Sequence, residues 1–114
     1  MLVYIVDDDE LFAECLERYL SDCEVRRFTN VIDTINEMND EVPDMIFLDV
    51  LLDGPDGFTL LNEMASYSDT GKVPIVIVSS IEISPVGLEN YGVVAVINKA
   101  ELTPESVRKC LDKI

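Results

Sequence analysis

Apolar and polar positions along the chain repeat one theme five times: a short apolar run, then a stretch patterned as an amphipathic helix. Leu2 to Val6 (LVYIV) is the first run, and it ends in acids. Behind it, Leu11, Phe12, Cys15, Leu16, Tyr19 and Leu20 recur at helical spacing. Glu24 to Phe28 predicts a more polar strand, suited to a sheet edge. Val31, Ile32, Ile35 and Met38 mark a second helix, closed by the turn residues from Asn39 to Pro43. Met45 to Leu48 is a continuous apolar strand, and Phe58 to Ser66 follows as a helix with Phe58, Leu61, Met64 and Ala65 on one face. Pro74 stands at a permitted strand start and introduces Ile75 to Val78. Ser84-Pro85 places an N-cap before a proline at the first helical position, which predicts a short fourth helix stopping near Gly92. Val93 to Ile97 is the fifth strand. Thr103-Pro104 repeats the Ser-Pro device and opens a last helix with Val107, Cys110, Leu111 and Ile114 inward.

Strands alternating with helices call for a parallel sheet covered on both faces. Continuous apolar runs in the first, third and fourth strands suit burial from both sides. Right-handed crossovers leave few topologies, and the flavodoxin-like doubly wound (βα)5 order, 2-1-3-4-5, is the natural one at 114 residues. No repeat or interdomain linker interrupts the pattern, so residues 1–114 read as one domain.

Composition narrows the partners. With 23 acids against 8 bases the formal net charge is −15, a surface that repels nucleic acid and anionic lipid. No apolar run approaches the roughly 18 residues of a membrane span. Met1 to Val6 is too short for a signal peptide, and Cys15, Cys23 and Cys110 are scattered without a CxxC pair or any histidine. A cytoplasmic location with the thiols as small buried hydrophobes is the expectation.

Solubility accounts for scattered acids, but not for acids packed at one place, where self-repulsion costs energy unless a cation or proton relieves it. In doubly wound sheets ligands sit at the carboxyl ends of the strands, at the switch point between the first and third. The first strand delivers Asp7 and Asp8 there, with Asp9 and Glu10 entering the helix; the third delivers Asp49, the fourth Ser79 and Ser80, the fifth Asn98 and Lys99. Clustered oxygen ligands without histidine or thiolate suit a hard cation, Mg2+ above all. A carboxylate can itself be the nucleophile of phosphoryl transfer, forming an aspartyl phosphate. The developing charge then needs a metal, a lysine and a hydroxyl or amide donor around it.

The chain resembles the receiver domain of two-component response regulators, through VDDDE after the first strand, FLDVLLDGPDGF around the third, PIVIVSS in the fourth and VINKA in the fifth. The resemblance spans essentially the whole chain. It implies that Asp49 is the phosphoacceptor, and that Asp8, with Asp7 through water, holds Mg2+ together with the backbone carbonyl of Leu51. Ser79 matches the hydroxyl that bonds the phosphoryl oxygen, with alternation sending Ser80 to the opposite side. Lys99 matches the lysine that pairs with Asp49 or its phosphate, and Asp56-Gly57 the closing turn of the loop. Glu10, Asp9 and Asp53 form a solvated acidic rim. Implied partners are a histidine kinase or phosphotransfer protein and a downstream output domain or protein, with a homodimer through the fourth helix, fifth strand and fifth helix as one route. Such a domain is a switch that assists its own modification, not a turnover enzyme.

Three features depart from the family pattern: Ala100 in place of proline after Lys99, Val96 in place of an aromatic residue, and a shorter fourth helix. All fall on the face these domains use for partners. Leu51 and Ile81, two residues beyond Asp49 and Ser79, are apolar where side chains flank the path of attacking water, which predicts slow self-dephosphorylation. A haloacid-dehalogenase-like phosphatase also uses an aspartate nucleophile, Mg2+, a hydroxyl and a lysine, but needs further acids after the lysine, where only Glu101 precedes the final helix. A flavodoxin-type nucleotide site wants a Ser/Thr/Gly-rich loop where four acids stand. A non-phosphorylated interaction module predicts a missing member of the acid, hydroxyl or lysine set, and none is missing.

Overall fold

The computed structural model describes residues 1–52 and 56–113. Its sheet has five parallel strands: β1 (Leu2–Val6), β2 (Glu24–Phe28), β3 (Met45–Leu48), β4 (Ile75–Ser79) and β5 (Val93–Asn98). Their order is β2-β1-β3-β4-β5, as the alternating pattern predicts. The three inner strands are buried at every position, whereas edge strand β2 is only partly covered.

Strand alternation divides the core in two. Tyr4, Val6, Ile46, Leu48, Ile75 and Ile77 face α2 (Val31–Asp40) and α3 (Gly57–Ala65), meeting Val31, Met38, Leu60, Leu61 and Met64. Val3, Ile5, Met45, Phe47, Val76 and Val78 face α1 (Glu10–Tyr19) and α4 (Pro104–Leu111), meeting Ala13, Leu16, Val107, Cys110 and Leu111. None of the three cysteines is paired. No helix among the described residues is long and apolar enough to cross a membrane.

Helix starts follow the caps. Asp9, Asn30, Asp56 and Thr103 each accept a hydrogen bond from the backbone N–H three residues on, relieving donors that the first turn leaves unpaired. Thr103 and Ser106 complete a reciprocal capping box ahead of α4. Ile114, expected inward from this helix, lies outside the described residues.

The fourth connection differs from expectation. Among the described residues there are four α-helices, and between β4 and β5 only a short 3-10 turn forms, at Leu88–Tyr91. Ser84 does accept a bond from the Val86 N–H at 3.3 Å, but this closes a local turn instead of opening a helix. Gly87 then adopts φ +82°, the left-handed region, within the stretch that would have been the first turn. Gly92, also at φ +82°, ends the segment, so too few residues remain between the two glycines to nucleate an α-helix. The predicted partner face of fourth helix, fifth strand and fifth helix is therefore built from this turn, β5 and α4.

Helical periodicity also overreached at single positions. Leu11, Ile32 and Phe58 are exposed at 81%, 59% and 41%, while Ala13, Thr34 and Leu60 take inward places.

Candidate functional site

Where the chain reverses direction across the sheet, β1 and β3 lie side by side and their ends open into one crevice. The backbone holds the ends in register: Asp49 N–H donates to the Val6 carbonyl at 2.9 Å, and Asp7 N–H to the Phe28 carbonyl at 2.9 Å. Asp7 and Asp49 are buried and Asp8 is exposed. One oxygen from each of the three carboxylates lies within 4.8 Å of the other two.

From the far side of the crevice β5 ends at Asn98 and hands over to Lys99. The Lys99 ammonium lies 2.8 Å from Asp7 Oδ2 and 3.1 Å from Asp49 Oδ2, bridging the two buried acids. Burial works against its charge, yet the hydrogen bonds to Asp7 and Asp49 outweigh that and hold its pKa above the usual lysine value. Asp7 shows the opposite balance. Burial pushes its pKa up, and the bonds from Lys99 and from the Asp9 N–H, the latter at 2.9 Å, only partly offset it. Asp49 Oδ1 accepts from the Leu51 N–H at 2.9 Å, which orients the carboxylate through its own loop. Asp8 accepts no hydrogen bond from the described residues, so its oxygens remain available.

Three carboxylates face one ammonium. Like charges about 4 Å apart repel by roughly 1 kcal/mol in water and about 4 kcal/mol at the effective dielectric near a protein surface. A divalent cation relieves that repulsion, and an all-oxygen donor set with no thiolate or imidazole fits Mg2+ or Mn2+.

Ser79 is fully buried at the end of β4, and Ser80 is exposed, as alternation requires. The Ser79 hydroxyl accepts from the Ile81 N–H at 3.2 Å and is not bonded to Asp49. The acids and the lysine thus converge directly, while the hydroxyl stands on the neighbouring strand. Asp56 caps α3, and the following Gly57 is required by close approach: a Cβ there would lie 2.6 Å from the Val50 Cα. Asp53 lies outside the described residues. Asp9, placed by its sequence on the acidic rim, also caps α1 through the Phe12 N–H at 3.1 Å.

Two contacts were not legible beforehand. Every described peptide bond is trans, and Ala100 donates its N–H to Asn98 Oδ1 at 2.9 Å, fixing the turn after Lys99. Proline has no N–H to make that bond. Phe12 reads from its spacing as a core residue, but its ring centroid is 4.5 Å from the Lys99 ammonium. A lysine at a strand end and an aromatic at the start of a helix carry no joint signal without the fold.

The family model described as the response regulator receiver domain matches residues 3–110. A solved response regulator from Chloroflexus aurantiacus J-10-fl is 27% identical, with 98% of this chain and 94% of that one covered and a TM-score of 0.86. A response regulator receiver domain protein from Methanospirillum hungatei JF-1 is 19% identical, covering 98% and 90%, with a TM-score of 0.85. The Mn2+-bound form of response regulator Rcp1 is 15% identical, covering 97% and 89%, with a TM-score of 0.76. No curated protein matches the chain.

Proposed function

The chain belongs to the response regulator receiver domain family, and from that premise we propose that it accepts a phosphoryl group on Asp49 from a histidine kinase or phosphotransfer protein. One observation carries the reading: Asp49 is held at a buried strand end, with Lys99 on one of its oxygens and two further carboxylates beside it. In the reaction, a carboxylate oxygen of Asp49 attacks the donor phosphorus. The O–P bond forms as the bond to the donor nitrogen breaks, and the electron pair leaves with the imidazole.

Lys99 neutralises charge growing on the phosphoryl oxygens, and the Ser79 hydroxyl turns from Ile81 to donate to one of them. Asp8, Asp49, the Leu51 carbonyl and, through water, Asp7 would hold Mg2+. When bound, the cation screens the acids from the incoming phosphate and polarises it. The Mn2+-bound Rcp1 supports a divalent cation as the occupant. The phosphorylated domain then switches its contacts with an output domain or protein partner in the cytoplasm, acting as a switch and not as a turnover enzyme. Nucleic acid and membrane are not proposed as partners of so acidic a chain.

The test is incubation with Mg2+ and acetyl phosphate followed by intact-mass measurement. One added phosphoryl group is expected on the wild type and none on Asp49→Asn; its persistence in that variant refutes the assignment. The side chains of Leu51 and Ile81 are about half exposed, at 48% and 50%, and neither can orient an attacking water. The phosphoform is accordingly long-lived, and Leu51→Asn shortens its lifetime. An unchanged decay in that variant contradicts this part of the reading.

A further inference from the structure

We propose that Phe12 is a positioning residue whose ring keeps the Lys99 ammonium beside Asp49 when a hydrated cation draws on the Asp7 carboxylate; this rests on Asp49 being the phosphoacceptor. Four contacts form a closed circuit around the site. The Asp7 carboxylate accepts from the Asp9 N–H, and the Asp9 carboxylate accepts from the Phe12 N–H. The Phe12 ring lies 4.5 Å from the Lys99 ammonium, and that ammonium returns to Asp7 at 2.8 Å and reaches Asp49 at 3.1 Å. Phe12 is half-buried in the first turn of α1, backed by the core beneath that helix, so its ring is held in place.

The chemistry explains why a ring serves here. A divalent cation held by Asp8, Asp49 and, through water, Asp7 would compete with Lys99 for these carboxylates and repel its charge. A fourth carboxylate would hold the lysine but add negative charge facing an incoming phosphate. An aromatic face attracts the ammonium through its quadrupole, carries no net charge and uses no oxygen that the cation needs. Lys99 therefore has an anchor independent of Asp7, and keeps its place when that bond is given up.

The test uses the full chain as wild type, Phe12→Tyr, Phe12→Leu and Phe12→Met, the last two retaining apolar bulk without a ring. With Mg2+ and acetyl phosphate, the Leu and Met variants should be phosphorylated roughly three- to tenfold more slowly, and Tyr should stay within about twofold of wild type. A packing role predicts no such division between aromatic and aliphatic residues at matched thermal stability. Nuclear magnetic resonance reads the anchor directly: the Lys99 Cε protons, assigned with Lys99→Arg, should be shifted upfield by the ring in the wild type and Tyr variant. That shift should survive Mg2+ and vanish in Leu and Met. Lys99 signals that are the same with and without the ring, a shift abolished by Mg2+, or a Tyr variant as slow as Leu would each overturn the proposal. Failure of the wild type to take up a phosphoryl group would instead refute the acceptor reading, and the resonance shift would still decide whether Phe12 holds Lys99.

Discussion

The crevice over β1 and β3 and the connection from β4 to β5 lie at neighbouring strand ends, yet they are built on opposite terms. In the crevice the two buried acids and the lysine are each tied by more than one contact: Asp49 to Leu51 and Lys99, Asp7 to Asp9 and Lys99, Lys99 to both acids and to Phe12. In the connection a 3-10 turn stands where an α-helix was expected, Val86 is 85% exposed, and Gly87 has no atom within 4 Å of where a Cβ would be. Chemistry needs groups placed to a fraction of an ångström, and redundancy of contacts supplies that. The connection places no such groups, and its backbone follows only a short turn between two left-handed glycines.

The largest expected effect probes the redundancy itself. Lys99→Ala should slow phosphorylation by acetyl phosphate by about 10²-fold, the usual cost of one electrostatic donor at a reacting oxygen. Rates measured by intact mass decide it, and a wild-type rate would show that the lysine is only an ion-pair partner. Cation binding comes next. Mg2+ at 100 times its dissociation constant should stabilise the fold by about 2.7 kcal/mol. Thermal melts with and without the ion should show that gain in the wild type and lose most of it in Asp8→Ala.

A matched pair of glycine substitutions then sets one region against the other. Gly57→Ala drives a Cβ to 2.6 Å from backbone beside the crevice and should cost about 1–3 kcal/mol in chemical denaturation. Gly87→Ala meets no neighbour and bears only the strain of its positive φ, roughly 1 kcal/mol. Equal costs would erase the contrast between the regions. The smallest effect concerns pH. Burial raises the folded-state pKa of Asp7 above its unfolded value, so its contribution to stability is present below the unfolded pKa, about 3.9, and is lost as pH rises through the folded one. In cation-free protein, Asp7→Asn should therefore flatten the decline in melting temperature over that window. An unaltered pH profile would show that the Lys99 bond fully offsets the burial.

Much of this was legible because particular residues report local physics. Continuous apolar runs in Leu2–Val6, Met45–Leu48 and Ile75–Val78 announce burial on both faces, and Thr103 before Pro104 announces the last helix through a side-chain oxygen at the cap position. The Ser84-Pro85 signal misled because a cap lowers the cost of starting a helix but does not supply the residues to continue it. Leu11, Ile32 and Phe58 misled for another reason. An apolar stripe wider than the contact leaves its margin to solvent, and only the neighbouring strand decides where the margin falls.

By itself the sequence determined the parallel doubly wound sheet, the concentration of acids at its strand ends and the identity of the residues delivered there, because strand burial and crossover handedness are local or nearly universal constraints. The tertiary structure alone decided how those residues meet: that Lys99 bonds Asp7 as well as Asp49, that Phe12 stands behind it, that Ser79 bonds Ile81, and that Ala100 completes a turn. Each of these joins residues whose distance is set by how strands and helices pack, and spacing along a chain carries no record of that.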